Sequence, residues 1–413
     1  MNRKTYLGIL TMLMVCSSLG TTHLAMAGKP VVHGIISQGY LKSSEYNYLA
    51  PTKVGTFAYN EMLLNVSAAV SDNVRVGAQI MARNFGSEGN EDVVLDWAYG
   101  DYRWRDELGL RVGKVKTPFG FYNQTRDVDM VRNSILLPQS VYTEDFRDGM
   151  NAFEGLSVYG SLALGDAASI EYDAFYGTLD LDRTMFPVPT LIQPTLAPYH
   201  GGALPVAGWT SEVKAVQGAA LRFNTPLEGF RVGGSVLDMQ MSGTGTLSSP
   251  FGPFTPTVEL DTSPWYVLSA EYSTDRWVFA GEFNRNFADI AINDVRMPTG
   301  MPDPASVIMD LESQDRRGGY YGQATYQVND WLQLGSYYSM YYPDYGTRDG
   351  EGFGYYQRDV AFSARFDLQD NWLFKVEAHT MAGTGDVNGY QNSGSTFAEE
   401  NWTLFGAKST FYF

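Results

Sequence analysis

Polar and apolar residues alternate with a period of two along almost the whole chain. Val74, Val76, Ala78, Ile80 and Ala82 alternate with Arg75, Gly77, Gln79, Met81 and Arg83, and Ile170, Tyr172, Ala174 and Tyr176 alternate with Glu171, Asp173, Phe175 and Gly177. Further on, Val360, Phe362, Ala364, Phe366 and Leu368 alternate with Asp359, Ala361, Ser363, Arg365 and Asp367, and Phe374, Val376 and Ala378 alternate with Lys375, Glu377 and His379. Successive side chains of a strand point to opposite faces, so each segment predicts a strand with one apolar face and one polar, often charged, face.

The connections between these strands fall into two sets. Seven are very short and built from turn residues: Ser71-Asp72-Asn73, Arg105-Asp106-Glu107, Gly165-Asp166-Ala167, Thr225-Pro226-Leu227-Glu228, Thr274-Asp275-Arg276, Asn329-Asp330 and Gln369-Asp370-Asn371. Between them lie long segments rich in Gly and Pro, read as loops over Asp180–Glu212, Ser242–Thr262, Asp289–Asp315 and Gly383–Glu400. Seven short turns and eight long loops imply 16 strands with both termini on the short-turn side. An even number of antiparallel strands with short turns at one end and long loops at the other predicts an all-β fold, a 16-stranded antiparallel transmembrane β-barrel with long external loops and short periplasmic turns.

Tryptophan positions fit two interfacial girdles. Trp104, Trp277, Trp331 and Trp372 lie beside short turns, whereas Trp209, Trp265 and Trp402 lie near the opposite strand ends. The chain ends Trp402-Thr-Leu-Phe-Gly-Ala-Lys-Ser-Thr-Phe-Tyr-Phe413, with Phe405, Ala407, Ser409, Phe411 and Phe413 on one face. That ending resembles the terminal strand of outer-membrane proteins, whose final Phe is read by the barrel-assembly machinery; the resemblance makes that machinery an expected partner through Phe413.

The first 27 residues read as a secretory signal peptide, with Arg3 and Lys4 before an apolar stretch from Tyr6 to Leu19 and Ala25-Met26-Ala27 as cleavage site. That stretch is short of the ~18–20 residues of a spanning helix. The barrel domain is then residues 28–413. Cleavage removes Cys16, so no disulfide is expected, and takes the formal charge from -17 to -19 because Arg3 and Lys4 leave. An acidic chain without a basic stripe excludes a nucleic-acid partner. With 44% hydrophobic residues and 43 Gly among 413 residues, the chain is neither disordered nor a coiled coil.

At about 16–18 strands a barrel is too wide for wall side chains to fill and leaves an aqueous channel. Charged inward positions then make sense, because charge facing lipid is costly whereas a lumen hydrates it. Arg75, Arg83, Asp96, Glu171, Asp173, Arg222, Arg231, Glu282, Arg365, Asp367, Lys375, Glu377 and Lys408 are expected to line the lumen. The segment 118–150 after the fifth strand is expected to form a constriction loop, and its Ile135–Leu137 cluster predicts that it packs against something. In the loop and its lead-in, Lys114, Lys116, Arg126, Arg132 and Arg147 face Asp127, Asp129, Glu144, Asp145 and Asp148. Two roles are open to them: a transverse field setting ion selectivity, or salt bridges that hold the loop down.

The run Arg111-Val-Gly-Lys-Val-Lys-Thr-Pro-Phe-Gly, continued through Leu137-Pro to the acidic and aromatic stretch ending at Arg147, resembles the phosphate-selective porin O/P family and related general diffusion porins. The resemblance covers Leu110–Gly155 and carries over best to Lys114, Lys116 and Arg147. It implies a trimeric diffusion channel for small, often anionic, hydrophilic solutes and ions, with the loop folded into the barrel. The chain departs from that family in having no dense arginine ladder.

Other readings are weaker. His33, His200 and His379 are the histidines left after cleavage, and none sits in a nucleophile or metal-ligand pattern, so neither an enzyme nor a metal or other cofactor is expected. Acidic loops contacting lipopolysaccharide through divalent ions read better as solvated loop. A non-conducting barrel acting as an adhesin shares every feature of the fold and differs only in whether the lumen conducts.

Overall fold

The computed structural model describes residues 28–85, 91–144, 147–179, 192, 196, 199–200, 204–298, 306–389, 391–392 and 397–413. The expected signal peptide, 1–27, lies outside the described residues. Eighteen strands form one antiparallel sheet, and 16 of them close into a barrel. In chain order these are β1 (Val31–Ser43), β2 (Tyr59–Ala69), β3 (Val74–Phe85), β4 (Val93–Arg105), β5 (Leu108–Lys116), β6 (Ala152–Ala163), β7 (Ser169–Thr178), β8 (Val206–Asn224), β9 (Phe230–Ser249), β10 (Gly252–Phe254), β11 (Thr257–Ser273), β12 (Trp277–Pro298), β13 (Ser306–Asp315), β14 (Gly318–Asn329), β15 (Leu332–Tyr342), β16 (Gln357–Gln369), β17 (Trp372–Gly383) and β18 (Asn401–Tyr412). β10 and β13 are accessory: β10 pairs with the distal end of β9 and β13 with that of β12, while the wall itself passes from β9 to β11 and from β12 to β14.

All seven short turns fall where the alternation breaks, at the hairpins β2–β3, β4–β5, β6–β7, β8–β9, β11–β12, β14–β15 and β16–β17. The barrel closes where β1 meets β18, in a register running from Ile35 opposite Tyr412 to Ser43 opposite Leu404. The Gly34 N–H and the Phe413 carbonyl extend that seam with a 3.1 Å bond.

The alternation sorts the two faces as expected. Val76, Ile80, Tyr176, Phe362, Leu368, Phe405 and Phe411 are exposed on the outer wall, whereas Met81, Phe175, Lys375, Glu377 and Lys408 are buried inside. A continuous outer band of exposed Val, Leu, Ile and aromatic side chains is a lipid-facing surface. Among the described residues no helix is long and apolar enough to cross a membrane.

Two expectations are corrected. First, Ser242–Thr262 and Asp289–Asp315 are not loops: β9, β11 and β12 run 20, 17 and 22 residues and carry most of these segments as strand. Outward Gln240, Glu259, Asp261 and Asp289 are polar, which hides the strands from a hydrophobicity count, while Met241, Leu247, Val258, Leu260, Ile290 and Ile292 face inward and pack with Ile192, Leu196 and Leu204. The barrel therefore extends beyond the lipid on this side around an apolar interior.

Second, the tryptophans near the loop-side strand ends do not form a girdle. Trp265 and Trp402 are buried on the inner face, Trp265 edge-on to Phe119 with its indole N–H donating to Asn284, and Trp402 edge-on to Tyr46 and Tyr48. Trp209 packs against the same inner apolar cluster as Trp265. Trp104, Trp277 and Trp331 beside the short turns do face outward and are exposed. Proximity to a strand end gives depth in the membrane, whereas the face is set by the parity of the strand.

Gly113 on β5 has φ of +133°, and a Cβ there would stand 2.3 Å from the Ala98 carbonyl oxygen of β4. Gly113→Ala is expected to destabilise the β4–β5 pair by about 1–3 kcal/mol. A lowered temperature of the folded-to-unfolded mobility change on a semi-native gel checks it.

Candidate functional site

The loop joining β5 and β6, residues 117–151, turns into the barrel instead of rising from its rim. Its base is tied by the Thr117 N–H on the Asn151 carbonyl at 3.0 Å. The interior offers this loop hydrogen-bonding partners because inward strand positions carry charge, and the loop uses them around most of the circumference.

Its first arm reaches the β9–β12 wall. The Gly120 N–H donates to Ser235 Oγ at 2.9 Å and the Phe121 N–H to Glu282 Oε1 at 2.8 Å, while Tyr122 Oη donates to Glu271 Oε2 at 2.5 Å. Glu282 also accepts from Ser269 and Tyr321, so its carboxylate is held entirely by neutral donors.

The middle of the loop lies against β15–β18. Asp129 is the clasp: Lys375 Nζ stands 2.9 Å and Lys408 Nζ 3.4 Å from its Oδ1, Arg132 Nε is 3.5 Å away, and Thr410 Oγ1 donates to its Oδ2 at 2.5 Å. Burial opposes the charge on Asp129, but these cations outweigh it and hold its carboxyl well below the ordinary carboxylate range. Next to the clasp, Glu377 accepts the backbone N–H groups of Ile135 and Leu136 at 2.8 and 3.0 Å, and His379 sits between Glu377 and Asp359 at 3.0 Å from each. The Ile135–Leu137 cluster is buried, so it packs as its composition implied.

The return arm meets β2–β4. Arg83 and Arg126 both bind Glu144, at 3.2 and 2.8 Å; Asp127 binds both Lys116 and Arg147; Lys116 is also 3.1 Å from Asp96. Arg147 lies 3.6 Å from Glu61 of β2, a residue the sequence reading did not single out because Met62-Leu-Leu64 interrupts the alternation beside it. Glu61 also holds Lys408 at 2.6 Å, linking the return arm to the Asp129 clasp.

These contacts place the expected residues. Lys116, Arg126, Asp127, Asp129, Arg132, Glu144 and Arg147 converge in one buried network, joined by wall residues Arg83, Asp96, Lys375 and Glu377. Asp145 lies outside the described residues. Lys114 is corrected: it shares the outer face of β5 with exposed Leu110 and Val112, and its register neighbours are Ala98 and Glu154, so it does not line the pore. Lys114 and Lys116 are an even number of positions apart, but Lys116 ends the strand where the chain bends inward to start the loop.

The remaining wall residues form a second, wetter set. Arg111 binds Asp173 at 3.2 Å, Arg222 binds Glu171 at 3.5 Å, Arg231 binds Glu271 at 3.0 Å and Arg365 binds Asp367 at 2.7 Å, all with partly exposed side chains, and Arg75 is exposed on the same inner face. Beside the return arm, Tyr59, Glu61, Arg83, Phe85, Arg126, Arg132, Ile135, Leu136, Glu144 and Arg147 enclose a gap of ≈ 10 Å³, about the room for one water molecule. Among the described residues, no three His, Cys, Asp or Glu side chains are grouped closely enough to hold a metal ion.

No family model and no curated protein matches the chain. Solved structures do. The outer membrane channel DcaP of Acinetobacter baumannii superposes with a TM-score of 0.51 at 11% identity, over 94% of this chain and 98% of that one. The in-vitro folded trimer form of OmpT, an outer membrane protein of Vibrio cholerae, gives 0.53 at 11% identity, over 93% and 99%. An anion-selective porin from Comamonas acidovorans gives 0.52 at 10% identity, over 93% and 99%. The chain therefore has the closed 16-strand fold of outer-membrane porins and resembles the general diffusion porins in architecture.

Replacing Asp129 by Asn leaves buried Lys375 without its carboxylate partner. The expected cost is about 3–5 kcal/mol of loop attachment, seen as faster proteolysis within 117–151 in the otherwise folded barrel. Because the folded carboxyl titrates below its ordinary value, the Asp129 contribution is fully present above pH ~4 and lost only as pH falls further, so the difference in loop protection between wild type and Asp129→Asn is expected to shrink as pH is taken below ~4.

Proposed function

We propose that this protein is an outer-membrane porin through which small hydrophilic solutes and ions diffuse passively, in the outer membrane of a Gram-negative bacterium and as a homotrimer. The observation that carries the reading is a charged loop folded into a charged lumen within a barrel whose outer wall is apolar. No chemistry is assigned to it: selectivity comes from pore width and the field at the narrowing. Support for the trimer comes from a neighbour described as a trimer form and from the outer wall of β1–β5, where Val32, Ile36, Met62, Leu64, Val66, Val76, Leu95 and Val112 are exposed and aliphatic.

A preference for anions is part of the proposal. Four guanidinium groups, from Arg83, Arg126, Arg132 and Arg147, border the gap beside the return arm against two carboxylates, from Glu61 and Glu144. The anion-selective porin among the structural neighbours fits this sign. Outer-membrane lipids, lipopolysaccharide and the barrel-assembly machinery are the further partners of this reading.

The alternative of a non-conducting surface barrel is favoured by the hold of the 117–151 loop on most of the inner wall. Planar-bilayer recording separates the two. A porin gives conductance steps in groups of three with a reversal potential on the anion side, and Arg83→Gln moves that potential toward cations. An absence of steps from correctly folded protein favours the surface barrel, and an unchanged potential in Arg83→Gln sinks the assignment of selectivity to this cluster.

A further inference from the structure

The lipid-facing wall is not uniform at its loop-side rim. On β12, Arg285 points outward with its guanidinium carbon 4.8 Å from the centre of the Phe287 ring and 4.0 Å from that of Tyr345. Its register partner on β14 is Gly318, where a Cβ would stand 2.6 Å from Arg285 Cδ and 3.0 Å from a ring carbon of Tyr345. The missing side chain makes the seat. Tyr345 is fixed edge-on against Phe283 and Tyr342, with ring centres 6.3 and 5.3 Å apart, and Arg348 approaches the same ring at 5.0 Å.

Two residues toward the membrane, Phe283, Tyr320, Met340 and Arg358 stand in one row across β12, β14, β15 and β16. Arg358 is exposed. With strands ~4.8 Å apart, the row from β12 to β16 spans about 14 Å. Below it on the same wall lie exposed Phe279, Leu334, Tyr338 and Phe362.

The charge state of this rim sets it apart. Every cation in the loop network inside the barrel faces a carboxylate, but among the described residues Arg285 and Arg358 have no ion-pair partner. Across the barrel, at the corresponding edge of β5, the outward cation Lys114 has Glu154 beside it in register. Two guanidinium groups without a carboxylate among the described residues, that of Arg285 seated on aromatic rings, lie directly above an apolar belt and match a ligand that is anionic at one end and hydrocarbon at the other. Arginine is suited to that task because its planar fork binds phosphate oxygens in pairs.

We propose that Arg285 and Arg358, with Arg348 in support, bind the two phosphates of a bisphosphorylated membrane lipid in the loop-side leaflet, one guanidinium to each, its acyl chains lying on the Phe279–Phe362 wall. The rings of Phe287 and Tyr345 hold the Arg285 guanidinium at the interface, where aromatic side chains are at home. The proposal rests on the membrane-barrel reading and adds to it one defined lipid site.

The test is native mass spectrometry of the full-length barrel in detergent, titrated with bisphosphorylated lipid A. Wild type is expected to retain the lipid through detergent exchange, and Arg285→Gln and Arg358→Gln each to weaken binding about tenfold. Dephosphorylated lipid A on wild type is expected to show a loss of the same order. Arg358→Gln alters an exposed side chain, so it keeps the test valid if Arg285→Gln does not fold. Unchanged binding in both variants overturns the site. Equal competition by inorganic phosphate at matched concentration overturns the lipid as its occupant. The same samples in planar bilayers keep the two readings apart: lipid loss with unaltered conductance in the variants supports this site, and silent wild-type protein that still binds lipid counts against the channel alone.

Discussion

In hydrocarbon no backbone N–H or C=O finds water, so every one within the bilayer needs a partner in the protein. That constraint explains the architecture. A sheet with an open edge fails it; a sheet closed on itself meets it, and here closure is the antiparallel seam between β1 and β18, finished by the Gly34–Phe413 bond. Alternation follows from closure, because one face of each strand must then meet lipid and the other the enclosed space. The even number of barrel strands follows too, with both chain ends on one side.

Closure creates a second problem. Sixteen strands enclose more volume than their own side chains fill. The protein fills part of that space in two chemically different ways. At the middle, the 117–151 loop is held by ions, with Asp129, Asp127, Glu144 and Glu377 each binding two or more groups. Toward the extended ends of β8–β12 the interior is apolar, built from Met241, Leu247, Val258, Leu260 and Ile290. A buried ion network is weak evidence for stability, since desolvating each charge costs about as much as pairing returns, but it defines one geometry sharply: removing any partner leaves a charge with no water to receive it. The loop is thereby positioned rather than merely attached. Of the two roles considered for its charges, the pairs described here are those that hold the loop down.

The outer wall shows the complementary economy of charge. Inside, cations of the loop network are paired; on the rim above β12–β16, Arg285 and Arg358 have no ion-pair partner among the described residues. The same aromatic side chains that mark a membrane interface hold Arg285 flat.

Period-two alternation and turn chemistry were enough to determine the strand count, the hairpins and the face of most residues, since a strand's parity is a local property that neighbours cannot alter. They also made residues 118–150 stand out, because an apolar Ile135-Leu-Leu137 cluster among paired charges has no place in solvent. Tertiary structure alone decided the rest. Trp265 and Trp402 lie at the right depth for a girdle yet point inward, Lys114 and Lys116 part company where the strand ends, and polar outward residues conceal the long extensions of β9, β11 and β12. Which carboxylate meets which cation was likewise beyond reach: Asp129 meets Lys375 and Lys408 across hundreds of residues of chain. The physical reason is that a sequence pattern reports what each residue does to its own strand, whereas a closed barrel brings together side chains from strands far apart in sequence, and only closure fixes which of them share the enclosed space.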